Sequence, residues 1–96
     1  MNFGQAIELL KAGRKVARAG WNGKGMFIYL VEGTTVPIER LRHEAATHLE
    51  RDNNVNRGKC VTIGSHIDMK AADGSIVVGW LASQTDMLAE DWESVK

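Results

Sequence analysis

The residues best suited to chemistry are two tryptophans, each set among glycines and short polar side chains. One lies in Ala19-Gly20-Trp21-Asn22-Gly23-Lys24-Gly25, the other in Gly79-Trp80-Leu81-Ala82-Ser83-Gln84-Thr85. An exposed indole face offers a stacking surface for a flat ring, and glycine lets a backbone approach a ligand closely. Asn22, Ser83, Gln84 and Thr85 can hydrogen-bond a ligand, and Arg18 and Lys24 bring charge for phosphate. That combination fits recognition of a nucleotide-like small molecule rather than its transformation. The same residues admit a plainer reading, in which Trp21 and Trp80 anchor the core at strand ends and the glycines serve turns. Residue types alone leave both open. Trp92, in an alternating segment beside Val95, reads as core.

Other groupings fall short of a reaction. His43-Glu44-Ala45-Ala46-Thr47-His48 resembles a zinc-protease helix, but that motif needs histidines four apart. Five apart on a helix, they diverge by about 140°. Ser83 lies near Asp86 without the Gly-x-Ser-x-Gly setting or a local histidine to activate it. Asp86, Glu90 and Asp91 read as a solvated acidic turn. Gly23-Lys24-Gly25 lacks the spacing of a phosphate-binding loop. His66 reads as a surface or interface residue and Cys60 as a filler, with no second cysteine for an internal disulfide. No catalytic residue, metal ligand or cofactor is expected.

The elements that must hold these residues follow from periodicity. Phe3, Ala6, Ile7 and Leu10 form one helical stripe, with Asn2 and Gln5 placed to cap it and Gly13 to end it. Short strands are expected at 15–19 and 26–31, then a turn region punctuated by Gly33 and Pro37. A thin helical stripe of Leu41, Ala45, His48 and Leu49 follows, then a loop over 52–58. Strands are expected at 60–63 and 66–70, a tight hairpin at Asp73-Gly74 leading into 75–78, a helical turn at 85–88 and a final edge strand at 92–95. The sum is an α+β fold: an N-terminal helix plus a mostly antiparallel β-sheet, in one small domain spanning 1–96.

At 44% apolar and 25% charged, the composition is that of an ordinary globular domain. Twelve basic and twelve acidic residues cancel, which argues against a sequence-independent binder of nucleic acid polymers. No signal peptide and no stretch fit to span a bilayer is visible, so a cytoplasmic protein is expected. So short a chain builds a deep pocket most readily by oligomerising.

The stretch from Phe3-Gly4-Gln5-Ala6 through Leu10-Lys11-Ala12-Gly13-Arg14-Lys15-Val16-Ala17-Arg18-Ala19-Gly20-Trp21-Asn22-Gly23-Lys24-Gly25-Met26 resembles a family of short phage and prophage proteins. So do His66-Ile67-Asp68-Met69-Lys70, Ala72-Asp73-Gly74 and the segment from Trp80 to Trp92. That family, long a domain of unknown function, includes the second family of Thoeris anti-defence proteins. The resemblance implies a sponge that binds a cyclic ADP-ribose isomer without cleaving it, in the cytoplasm of the infected bacterial host. It also implies a homotetramer with pockets where protomers meet, and, in some relatives, capture of cyclic oligonucleotides at a separate site. Carried onto matching positions, it marks Trp21, Asn22, Gly23 and Gly25, with Trp80, Ala82, Ser83 and Thr85. Residues 37–64 align with no motif of that family, and Val77-Val78-Gly79 makes a longer approach to Trp80 than is usual in it. Two rival readings of function remain: a nucleotide-signal hydrolase, and a small module that inhibits a host protein through its tryptophan loops.

Overall fold

The computed structural model describes residues 1–96. The chain divides into two compact units, Met1–Val31 with His66–Lys96, and Glu32–Ser65. No helix in either is long and apolar enough to cross a membrane.

The first unit opens with helix α1, Phe3–Lys11. The Asn2 side chain accepts from the Gln5 amide at 2.8 Å and the Gln5 side chain accepts from the Asn2 amide at 2.9 Å, so two otherwise orphaned donors are satisfied. Gly13, at φ 85°, ends the helix in the left-handed region. Strands β1 (Lys15–Arg18), β2 (Phe27–Val31), β5 (His66–Lys70), β6 (Ile76–Val77) and β7 (Trp92–Val95) form a five-stranded sheet in the order β6-β5-β2-β1-β7. Every pairing is antiparallel, as the sequence predicts. A short helix α3, Gln84–Leu88, precedes β7 and is capped by Ser83.

Register decides which residues share a face. Val16 pairs with Ile28, Ile28 with Met69 and Arg18 with Trp92, so Val16, Ile28, Met69 and Trp92 line one side. There α1 sets Ala6 and Leu10 against Val16, Ile28 and Trp92, and these five residues form the buried core. On the opposite side the same alternation places Lys15, Ala17, Phe27, Tyr29, Lys70, Glu93 and Val95.

The second unit departs from expectation in two places. The region around Gly33 and Pro37 is not a plain turn. Thr34–Pro37 forms strand β3 and pairs with β4, Cys60–Ile63. The β-branched run Thr34, Thr35, Val36 favours extension, and Pro37 stands at the last position of a strand with a single partner. The helical stripe expected of Leu41, Ala45, His48 and Leu49 is also realised only in part. A 3-10 turn, Ile38–Arg40, is followed by the six-residue helix α2, His43–His48. Arg42 offers no side-chain cap, and Glu50 at φ 53° turns the chain out of the helix. Leu41 is buried, but Ala45, His48 and Leu49 are exposed, so the apolar stripe does not exist as a packed face. The unit buries Ile38 and Leu41 instead.

Trp92 is the largest fully buried side chain, at 2% exposure, and its Nε1 donates to the Asp86 carbonyl at 2.9 Å. Trp92→Ala removes a core indole and is expected to cost about 3–5 kcal/mol, a large part of the roughly 5–15 kcal/mol typical of a domain. Trp92→Phe keeps most of the packing and forfeits one hydrogen bond, about 1 kcal/mol. Urea unfolding followed by circular dichroism measures both; near-equal midpoints for wild type and Trp92→Ala would contradict this placement of the core.

Candidate functional site

The two tryptophan segments, far apart in sequence, meet in space. The rings of Trp21 and Trp80 lie 6.3 Å apart, and each packs edge-on against Trp92, at 5.4 and 6.2 Å. Both rings stay half-buried, so each is anchored on the core without being sealed in it. These contacts are those of the core-anchoring reading; the ligand-stacking reading concerns only the part of each side chain that stays exposed.

Asp86 holds this junction. Its Oδ1 accepts from Arg18 Nη1 at 2.8 Å and from Trp21 Nε1 at 3.2 Å; its Oδ2 accepts from Ser83 Oγ at 2.9 Å. Arg18 Nε donates to Asp91 Oδ1 at 2.9 Å, and the other Asp91 oxygen takes the Gly20 amide at 2.8 Å. Asp86 is 13% exposed and Arg18 16%, so the pair is well shielded. Burial of the Asp86 carboxyl pushes its pKa up, but hydrogen bonds from Arg18, Ser83 and Trp21 outweigh that and hold it below its ordinary value. The Arg18 guanidinium, foremost, and the Gly20 amide depress Asp91 likewise. The expected solvated acidic turn is thus a structural hub. Its signal was present in the capping pattern Ser83-x-x-Asp86, while its partner Arg18, 68 residues away, left none.

A second tether holds the Trp80 loop. Buried Asp68 accepts from the Gly79 amide at 3.1 Å, and the Trp80 amide donates to the Ile67 carbonyl. Gly79 sits at φ 82°, a conformation that suits glycine.

On the sheet face opposite α1 lies a cleft of about 540 Å³. Lys15, Ala17, Phe27, Lys70, Glu93 and Val95 come from the strands; Arg18, Trp21, Gly23, Lys24 and Gly25 come from the β1–β2 connection and its approach. Lys15 Nζ stands 4.6 Å and Lys70 Nζ 5.5 Å from the Phe27 ring centroid, within cation–π range. Glu93 is the single carboxylate among the lining residues, against Lys15, Lys24, Lys70, Lys96 and the already paired Arg18. The arrangement suits an anionic ligand with a flat ring: ammonium groups for oxyanions, Phe27 and Trp21 for the ring.

Of the residues marked from sequence, the structure gathers Arg18, Trp21, Gly23, Lys24 and Gly25 at this cleft. Asn22 is exposed beside it. Trp80, Ala82, Ser83 and Thr85 line no part of it; Ser83 is spent as the α3 cap and Thr85 is exposed in that helix's first turn. Arg18 is engaged by two carboxylates, which leaves the lysines as the cleft's cations without an ion pair. The two glycines have reasons of their own. A Cβ on Gly23 would lie 2.5 Å from Met26 Sδ and 2.6 Å from Ala72 Cβ, and Gly25 holds φ 73°. Lys15, Phe27 and Lys70 were not singled out from sequence. Only the β1–β2–β5 register brings them together, and each reads locally as an ordinary strand residue. His43 and His48 join no group of three potential metal ligands.

The Asp86 hub makes a pH prediction. With folded pKa values depressed below the ordinary 3.8, Asp86 and Asp91 contribute stability that is complete above the unfolded value and is lost as pH falls through the folded values. Asp86→Asn removes one such group and is expected to cost about 2–3 kcal/mol at neutral pH, since charged hydrogen bonds are each worth about 1.5–3 kcal/mol. Melting temperature recorded from pH 6 to pH 2.5 is expected to fall less steeply in Asp86→Asn than in wild type; parallel curves would contradict the hub.

Comparison with known proteins places the chain in a family. Residues 1–95 match the family described as the Thoeris anti-defense 2-like domain. A curated relative, Thoeris anti-defense 2 of Bacillus phage SP01, is 39% identical over 98 residues, covering 99% of this chain and 94% of the relative. With the family spanning the chain from its first residue nearly to its last, and the helix, sheet and tryptophan segments all inside that span, this protein belongs to the Thoeris anti-defense 2-like family.

Proposed function

We propose that this chain blocks Thoeris anti-phage defence by binding a cyclic ADP-ribose isomer and holding it uncleaved, in the cytoplasm of the infected bacterium. The observation that carries the reading is the lysine-rich cleft with Phe27 and Trp21 among its walls, in a chain of this family. A cyclic ADP-ribose isomer offers a base to stack and a pyrophosphate to neutralise. At about 540 Å³ the cleft falls within the range of small-molecule sites.

The energies indicate what the cleft must supply. Retention at nanomolar signal needs about −12 kcal/mol. Stacking contributes about 1–3 kcal/mol per base, so most of the remainder falls to charge-assisted hydrogen bonds in a desolvated pocket. The cleft of one chain is open on a sheet face, and enclosure requires a second copy. In this reading the protein is a homo-oligomer, a tetramer by family resemblance, with Trp80, Ala82 and Thr85 of a neighbouring copy closing the ligand in. Exposed apolar side chains on the β6 edge and the loop after it support such association: Ile76, Val77, Val78 at 71% exposure and Leu81 at 90%. By the same family resemblance, cyclic oligonucleotides are proposed as secondary ligands, at a separate site of the assembly.

Lys15→Gln with Lys70→Gln is expected to weaken binding of a cyclic ADP-ribose isomer at least about tenfold by calorimetry, with circular dichroism unchanged. Trp21→Ala is expected to abolish retention. Heating the wild-type complex should return the ligand intact. Recovery of a linear product instead establishes the hydrolase reading, and unaltered affinity in the double lysine variant removes the cleft from the account. Leu81→Glu with Val78→Glu is expected to lower the mass seen by light scattering, and an unchanged mass would move the interface elsewhere.

A further inference from the structure

The unit Glu32–Ser65 contains a concavity of about 690 Å³ that the reading above does not use, lined by Glu39, Arg40, Leu41, Arg42, His43 and Arg51. Its construction follows from local backbone. Ile38 and Leu41 are buried, and the Ile38 amide is tied to the Lys59 carbonyl at 2.9 Å. Leu41 is buried while Arg40, ending the 3-10 turn, and Arg42, in extended backbone, are exposed on either side of it. Arg51 Nη1 donates to the Leu41 carbonyl at 2.8 Å, which fixes a third guanidinium at the rim. His43 closes the lining at φ 55°, a left-handed conformation that costs energy in a non-glycine residue.

Charge is one-sided there. Glu39 is committed to the Gly58 amide at 2.8 Å, which depresses its pKa, and Arg51 is shared with Asp52. Arg40 and Arg42 make no hydrogen bond or ion pair through their side chains. Paired guanidiniums at one concavity match the fork geometry of phosphate oxygens. No phenylalanine, tyrosine or tryptophan lines it, so charge outweighs ring stacking in what it offers a ligand.

We propose that this concavity is a second, independent anion site, which takes a compact polyphosphate by its charge and not by its base. The group could arrive as free pyrophosphate or as the terminal phosphates of a nucleotide, and the chemistry of recognition is shared.

The test is a titration of the full-length protein, labelled with nitrogen-15, with inorganic pyrophosphate, ATP and adenosine in parallel. Pyrophosphate is expected to shift amides at 39–43 and 51, and adenosine to leave them unmoved. Arg40→Gln with Arg42→Gln is expected to weaken pyrophosphate at those amides at least about tenfold while leaving binding of the cyclic ADP-ribose isomer unchanged. ATP shifting these amides as strongly as pyrophosphate assigns the source to nucleotides, and a response to pyrophosphate alone assigns it to the free anion. Shifts confined to the lysine cleft, or no shift with any phosphate, overturn the proposal. Loss of cyclic ADP-ribose binding in the arginine variant overturns its independence. Failure of the Lys15 and Lys70 variants to affect the cyclic ligand bears on the first site only.

Discussion

The structure depends on one shielded ion-pair junction. Arg18 at the end of β1 is held by Asp86 on α3 and by Asp91 just before β7, and Asp86 also takes the indole N–H of Trp21. A guanidinium so placed has lost much of its water, and removing either carboxylate leaves charge poorly compensated. Because the partners come from opposite ends of the chain, the junction fixes the Trp21 loop against the Trp80 loop and both against Trp92. Trp21 and Trp80 are thereby held against the core while remaining only partly buried.

The same commitment redistributes the cations. With Arg18 spent on structure, the charge facing the cleft comes from lysines, of which Lys15 and Lys70 flank the Phe27 ring and Lys70 also reaches the Gly25 carbonyl at 3.1 Å. An ammonium over an aromatic face is held in place without being neutralised, so its charge stays available to an oxyanion. One face of the sheet carries the α1 core and the other the cleft. A single alternation of residues along β1, β2 and β5 therefore sets both the core and the lining of the cleft.

Much of this was legible locally. Asn2 and Gln5 announce the α1 cap, Asp73-Gly74 announces the hairpin whose turn Ser75 closes on Asp73, and the apolar run into Val31 announces a central strand. Each is encoded by neighbours in sequence. Strand β3 was hidden because Gly33 and Pro37 read as punctuation, while its extension is secured by β4, reached only after the whole α2 excursion. The Asp86 hub and the Lys15–Phe27–Lys70 group were hidden for the same physical reason: register and long-range ion pairing assemble them, and no short window contains both partners. The two tryptophan segments stood out, but which side of each ring is free is a property of packing on Trp92.

The most direct measurement is a crystal structure of the protein with a bound cyclic ADP-ribose isomer. The account predicts intact ligand in the cleft on the sheet face opposite α1, its pyrophosphate within reach of Lys15 and Lys70 and its base against Trp21 or Phe27. Ligand seated away from that cleft, with the lysines untouched, would contradict it.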